Sequence, residues 1–188
     1  TNEMWINDGA GVFTDETSTR LPTNPPYLEL TGITAGLFLL PLDGDGDLDA
    51  ICLRSKDSDG SGFSSSYLND GTGVFTSNGE LADGLGSADF GDLDGDGDVD
   101  LFEGSLSSGF GHHPNSVFLN DGSADFVELT GALPAHATPL DAAPVLGDIE
   151  GDGDLDAYVP TSSSTAPLLF LYVNDGTAHF SDQPERIS

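Results

Sequence analysis

Five acidic side chains fall on alternate positions in the run GDLDGDGDVD at residues 91–100: Asp92, Asp94, Asp96, Asp98 and Asp100. In an extended chain, alternate side chains share one face. Two unit charges about 4 Å apart repel by about 4 kcal/mol at an effective dielectric of about 20. Such a run cannot be held compact without a cation. Gly95 and Gly97 let the backbone curl until alternate carboxylates converge. Oxygen-only donors in a flexible loop suit Ca²⁺, which takes about 6–8 oxygens at about 2.3–2.6 Å. The plainer alternative is a solvated acidic turn. It loses ground because the run recurs. GDIEGDGDLD at residues 147–156 carries Asp148, Glu150, Asp152, Asp154 and Asp156. PLDGDGDLD at residues 41–49 carries Asp43, Asp45, Asp47 and Asp49, with Pro41 where the first acid belongs.

A second repeat interleaves with the first. INDGAGVF, LNDGTGVF, LNDGSADF and VNDGTAHF place Asn7, Asn69, Asn120 and Asn174 at steps of 62, 51 and 54 residues. Asn-Asp-Gly between apolar runs marks a hairpin, because these residues tolerate positive φ. A period of 50 to 60 residues suits a propeller-type array. Each period reads as four short strands. The acidic loop joins the first two and the Asn-Asp-Gly turn joins the last two. Gly, Ser, Thr and Pro dominate the connections, so helices are poorly supported. The chain begins inside a period, which leaves three acidic loops against four hairpins. The expectation is an all-β chain, a β-propeller segment of about three and a half four-stranded antiparallel blades with calcium loops. Residues 1–30 would form the outer hairpin of an incomplete blade, and 31–80, 81–132 and 133–188 one blade each. Its unpaired strands, Met4-Trp5-Ile6 first, would pair with the rest of a longer chain or self-assemble with a neighbouring subunit.

Charge narrows the partners. The 188 residues carry 33 Asp and Glu against 4 Lys and Arg, a net charge of −29. That weighs against nucleic acid, which needs a basic patch, and against anionic membranes. Acidic chains are often disordered, but here 14 of the 33 acids sit in the three loops and apolar runs separate them. No apolar run is long enough to span a bilayer as a helix. Cys52 is the only cysteine, so no intrachain disulfide forms; its apolar setting suits a buried thiol. With no initiator Met and no visible signal peptide, the sequence reads as a mature or excised segment.

The two motifs, in this order, resemble the FG-GAP/VCBS repeat family, the integrin-α-like calcium-binding β-propellers. The matching residues are GDLDGDGDVDLF at 91–102, GDIEGDGDLDAYV at 147–159 and every NDGxxxF hairpin. The resemblance implies Ca²⁺ in the loop joining the first two strands of each blade. Side-chain ligands would be Asp92, Asp94, Asp96 and Asp100 in the second loop and Asp148, Glu150, Asp152 and Asp156 in the third. Asp98 and Asp154 would contribute backbone carbonyls. In the first loop, Asp43, Asp45 and Asp49, with Asp47 through its carbonyl, would form a weaker site because Pro41 offers no carboxylate.

The implied function is a calcium-stabilised, non-catalytic extracellular module for protein or glycan binding, adhesion or assembly. Extracellular calcium suits loops of about 10⁻⁴–10⁻³ M affinity. One alternative is a propeller fragment of a secreted polysaccharide-acting enzyme. Another is an EF-hand-like calcium-binding protein, since Glu103 follows Asp92 at the spacing of that loop formula. An EF-hand needs flanking helices, and the flanking sequences are poor helix formers. Little else suggests chemistry. His112 and His113 read as a polar loop, His136 and His179 as isolated, and the stretch at 57–62 as a surface turn. No nucleophile motif sets a Ser beside a His.

Overall fold

The computed structural model describes residues 3–22, 34–54, 63–83, 87–104, 107–108, 111–112, 114–134, 143–160 and 169–183. The chain is all-β, and its sheets are antiparallel throughout. A two-stranded sheet comes first, β1 (Trp5–Asn7) against β2 (Phe13–Asp15). One helical turn follows, α1 (Thr17–Arg20), which the composition did not announce. Its start is tied to the hairpin by Met4 N–H donating to Thr17 Oγ1 at 2.8 Å.

Three four-stranded sheets follow. The first is ordered β3 (Thr34–Leu40), β4 (Asp49–Arg54), β5 (Phe63–Asn69), β6 (Phe75–Asp83). The second contains β7 (Ser87–Gly91) and β8 (Asp100–Gly104), then β11 (Ser116–Asn120) and β12 (Phe126–Glu128). A small separate ribbon, β9 (Ser107–Ser108) with β10 (Gly111–His112), interrupts it in sequence. The third is β13 (Val145–Gly147), β14 (Asp156–Pro160), β15 (Leu169–Asn174), β16 (Phe180–Asp182). In all three the acidic loop joins strands one and two, and Asn-Asp-Gly joins strands three and four. These are propeller-like units, and the described residues form no closed ring.

The core lies between sheets. Period-2 alternation divides β4, so Ile51 and Leu53 face the second sheet while Ala50 and Cys52 face the other way. Ile51, Leu53 and Leu42 pack with Leu101 and Ala124, supported by Phe38, Leu40, Phe90, Phe118 and Phe126. The next seam joins Leu93, Phe102 and Val117 to Ala157, Val159, Tyr172, Ala178 and Phe180. Phe102 and Phe180 meet edge-to-face, with centroids 5.4 Å apart at 83°, the arrangement that ring quadrupoles favour. Fully burying one such side chain contributes about 1.5–3 kcal/mol. Stability therefore depends on each sheet having a neighbour.

The EF-hand alternative finds strands β7 and β8 where it needs helices, and Glu103 is a buried residue of β8. Cys52 is buried, as expected of a core thiol. His113, His136 and residues 57–62 lie outside the described residues. Among the described residues, no helix is long and apolar enough to cross a membrane.

Candidate metal centre

Each acidic loop is closed by its ninth-position acid. Asp100 is fully buried and uses both carboxylate oxygens. Oδ2 accepts Leu93 N–H at 2.8 Å from its own loop, and Oδ1 accepts Asn120 N–H at 2.9 Å from the hairpin of the same sheet. Asp49 makes the same pair with Leu42 and Asn69, and Asp156 with Ile149 and Asn174. Hydrogen bonds to charged groups contribute about 1.5–3 kcal/mol each. The loop is thus clamped to the outer hairpin before any ion is considered. Burial pushes the Asp100 carboxyl up to about 6; the two N–H donors oppose this, and the charges of Asp94 and Asp96 add to it.

The first acid shapes the turn. Asp92 accepts Gly95 N–H at 2.8 Å and Gly97 N–H at 3.0 Å. Asp148 does the same for Gly151 at 2.6 Å and Gly153 at 3.1 Å, and also takes Asp152 N–H. The glycines sit at φ between 79° and 101°, which favours glycine. Pro41 has no carboxylate to make these bonds, so the first loop is the least braced. The third and fifth acids bond two residues ahead: Asp94 to Asp96 N–H and Asp96 to Asp98 N–H, with Asp43, Asp45 and Asp152 alike in their loops.

In the second loop these constraints converge. Carboxylate oxygens of Asp92, Asp94 and Asp100 lie within 4.8 Å of one another, which no other trio of His, Cys, Asp or Glu achieves among the described residues. Burial also raises the Asp94 carboxyl above its ordinary value. Crowded, partly desolvated carboxylates are what a bound cation would relieve. An all-oxygen donor set fits a hard ion such as Ca²⁺ rather than Zn²⁺. Asp96 and Asp98 sit on the same loop but outside that trio. The first and third loops keep the same backbone framework without bringing three acids so close. There, burial raises Asp43 and Asp154, with the neighbouring acids adding to the effect. Glu150 is exposed.

The seventh acid of each loop also abuts the neighbouring hairpin. A Cβ added to Gly122 would lie 2.6 Å from Asp98 Oδ2, and one on Gly176 would lie 2.6 Å from Asp154 Oδ2. At Gly71 the corresponding distance to Asp47 Oδ2 is 2.3 Å. At these three hairpins a Cβ would push the neighbouring aspartate aside, and the glycine's own φ of 77–79° favours glycine as well.

The most informative residues missed in the sequence are the hairpin asparagines. Asn120 Nδ2 donates to Leu42 O at 2.8 Å, and Asn174 Nδ2 donates to Leu93 O at 2.8 Å. Each reaches from its own hairpin into the acidic loop of the preceding sheet. Ala178 N–H joins the same Leu93 carbonyl at 3.0 Å. Ala124 and Ala178 hold φ of 64° and 57° with their methyls buried in these seams. The first hairpin copies carry Gly11 and Gly73 there, and Gly73 lies against Arg20, whose guanidinium donates to Thr72 O.

Comparison with known proteins agrees with the motifs. Residues 41–103 match the FG-GAP-like repeat, so the resemblance holds from the first acidic loop through β8. No curated protein matches the chain. Among solved structures, a lectin from Agrocybe aegerita that recognises non-reducing terminal N-acetylglucosamine is similar, with a TM-score of 0.63 over 95% of this chain at 21% identity. This chain spans 44% of that one. At that identity the likeness concerns the fold.

Proposed function

We propose that this chain is a non-catalytic binding module of the propeller type, held rigid by Ca²⁺ in its acidic loops and displaying a glycan- or protein-recognising surface outside the cell. The observation that carries it is the convergence of Asp92, Asp94 and Asp100 within 4.8 Å. Those three would hold the ion, with Asp96 and Asp98 completing the loop around it. Bound calcium supplies the positive charge that lets the carboxylates stay ionised together. The loops of Asp148 and of Asp43 would bind in turn, the latter more weakly because of Pro41. Carboxylates coordinate only when deprotonated, so acid should release the ion. The lectin's fold favours a glycan as the first ligand class to try.

The test combines melting and binding. At ten times the dissociation constant, each occupied site adds about 1.4 kcal/mol, or about 3–6 °C in a chain of this size. Metal-free protein should melt lower than protein in excess calcium. An array of glycans, including ones ending in N-acetylglucosamine, should give calcium-dependent binding. Identical melts in calcium and in chelator would refute the metal reading. A structured, calcium-loaded chain that retains no glycan would remove the glycan reading and leave a protein partner.

A further inference from the structure

The two seams between the complete sheets are finished differently at their outer edge. In the seam between the second and third sheets, Val117, Ala132 and Phe180 are buried together. Leu129 N–H donates to Val117 O at 2.8 Å, and Phe180 N–H donates to Ala132 O at 2.7 Å. Counted from the hairpin asparagines, Ser66 and Phe126 hold the places of Val117 and Phe180 in the seam between the first and second sheets. There β6 carries an extra residue. Tyr67 faces Ser77 and Ser66 faces Gly79, so Asn78 bulges out of the ladder, and Gly79 sits at φ 117°. Bulges re-aim a side chain at a sheet edge. The Asn78 amide donates to Ser66 Oγ at 3.3 Å within its own sheet and to Ala124 O at 3.1 Å across the seam. The seam stays open there as a cavity of about 310 Å³, which Glu80, Asp125 and Phe126 also line.

The cavity offers both kinds of hydrogen-bonding group beside an aromatic wall. The Ser66 hydroxyl is 2% exposed; its oxygen accepts from Asn78, and its hydrogen is available to a ligand oxygen. Asn78 Oδ1 and the carboxylates of Glu80 and Asp125 accept no hydrogen bond and make no ion pair among the described residues. We propose that this cavity binds one pyranose ring of a neutral glycan, an inference that rests on the glycan reading above and gives it a place. Sugar hydroxyls donate as well as accept. Two neighbouring ones donate to Glu80 and to Asn78 Oδ1, while a third oxygen accepts from Ser66. The C–H face of the ring packs on Phe126, in the usual division between an apolar wall and a few convergent polar groups. A cavity of about 150 Å³ holds benzene, so about 310 Å³ takes a six-membered ring with its hydroxyls. Two lining carboxylates and a net charge of −29 repel acidic sugars. The site belongs to this seam alone of the two, because Val117 and Ala132 close the other.

The probes are methyl β-glucoside and methyl N-acetyl-β-glucosaminide, titrated into the whole chain in excess calcium at about 0.15 M salt and followed by amide NMR. Saturable shifts are expected at Asn78, Glu80, Asp125 and Phe126. Glu80→Gln should weaken binding about tenfold, the fold-change that one charged hydrogen bond accounts for. Glu80 is exposed and bonds to no described residue, so this variant should melt like the parent, which separates lost binding from lost folding. Ser66→Val, which copies the closed seam at Val117, should abolish binding. Methyl β-glucuronide should bind at least about tenfold more weakly than the glucoside, and equal binding overturns the proposal. Shifts that map elsewhere and survive both variants overturn this site and leave the glycan reading standing. No response to either glycoside, from a chain that still binds the glycan array, does the same; silence in both overturns the glycan reading as well. Butylammonium binding as tightly as the glucoside also overturns the proposal, because the occupant is then a cationic side chain.

Discussion

Replacing Asn174 with alanine should destabilise the protein far more than replacing Asn69, although both open an Asn-Asp-Gly hairpin. Asn174 is 3% exposed and makes three side-chain hydrogen bonds: to Leu93 O at 2.8 Å, to Leu155 O at 3.2 Å, and from Gly176 N–H at 3.2 Å. At about 0.5–1.5 kcal/mol net each, the sum is about 1.5–4.5 kcal/mol. Leu93 O keeps the Ala178 N–H bond, so the carbonyl is not orphaned and the lower half of that range is expected, about 2–3 kcal/mol. In a chain of this length that lowers the melting temperature by about 4–12 °C. Asn69 bonds to Leu48 O and from Gly73 N–H at the solvent edge, with no reach into another sheet; its loss should cost about 1 kcal/mol. Asn120, with its buried bond to Leu42 O, should fall between. Urea unfolding of the three variants measures the order. Asn174→Asp sharpens the test: it matches the size and keeps the acceptor but places a carboxylate against a buried carbonyl, so it should be worse than alanine near neutral pH. If Asn69→Ala costs as much as Asn174→Ala, the bond across the seam is not what matters and the reasoning fails.

Three further outcomes follow from the same geometry. Gly122→Ala and Gly176→Ala should cost more than Gly9→Ala in thermal melts: all three meet a left-handed penalty of about 1–2 kcal/mol, but only the first two meet an Asp98 or Asp154 oxygen at 2.6 Å, while a Cβ on Gly9 has nothing within 4 Å. Asp94→Asn should remove more of the calcium-induced rise in melting temperature than Asp43→Asn, and equal losses would show that the trio at Asp92, Asp94 and Asp100 is not the strongest site. Burial, with Asp182 nearby, pushes the Tyr172 hydroxyl up to about 12 from 10.0. The folded state then holds that proton more tightly than the unfolded one, so this contribution is intact below pH 10 and is lost as pH rises towards 12. Tyr172→Phe should flatten the alkaline decline in stability, and an unchanged decline would place its cause elsewhere.

The fold was readable because two local signals coincide. Alternating apolar residues gave the strands, and Asn-Asp-Gly gave the outer turns; β5, β6, β11 and β12 stand where those signals put them. The sheets' antiparallel order follows from the same short connections. The candidate site was readable as three acidic loops, but which backbone N–H groups each acid holds was not. Alternation makes Asp92, Asp94 and Asp100 look equivalent to Asp96 and Asp98. What separates them is the placement of backbone N–H groups, some of them about 20 residues away, and the sequence shows no such partner directly. The same limit hid Asn120 and Asn174, because a residue that satisfies a turn locally gives no local sign that its amide also reaches the sheet before. The short helix α1 was missed because Thr-Ser-Thr-Arg has no periodic pattern to detect.

The asparagine bridges also set how the chain should come apart. Asn120 joins the second sheet to the first and Asn174 joins the third to the second, so each coupling links nearest neighbours only. Such an array behaves as a one-dimensional chain of units whose stability is a sum of intrinsic and neighbour terms. Among the three complete sheets, only the second has both an asparagine leaving it and an asparagine arriving. Its amides, those of β8 and β11 above all, should exchange with solvent most slowly, with protection falling towards β3 and β16. Cutting the Asn174 bridge should lower the cost of opening the third sheet, which the Ala178 to Leu93 bond and the Phe102–Phe180 contact still hold, and leave the exchange of the first nearly untouched.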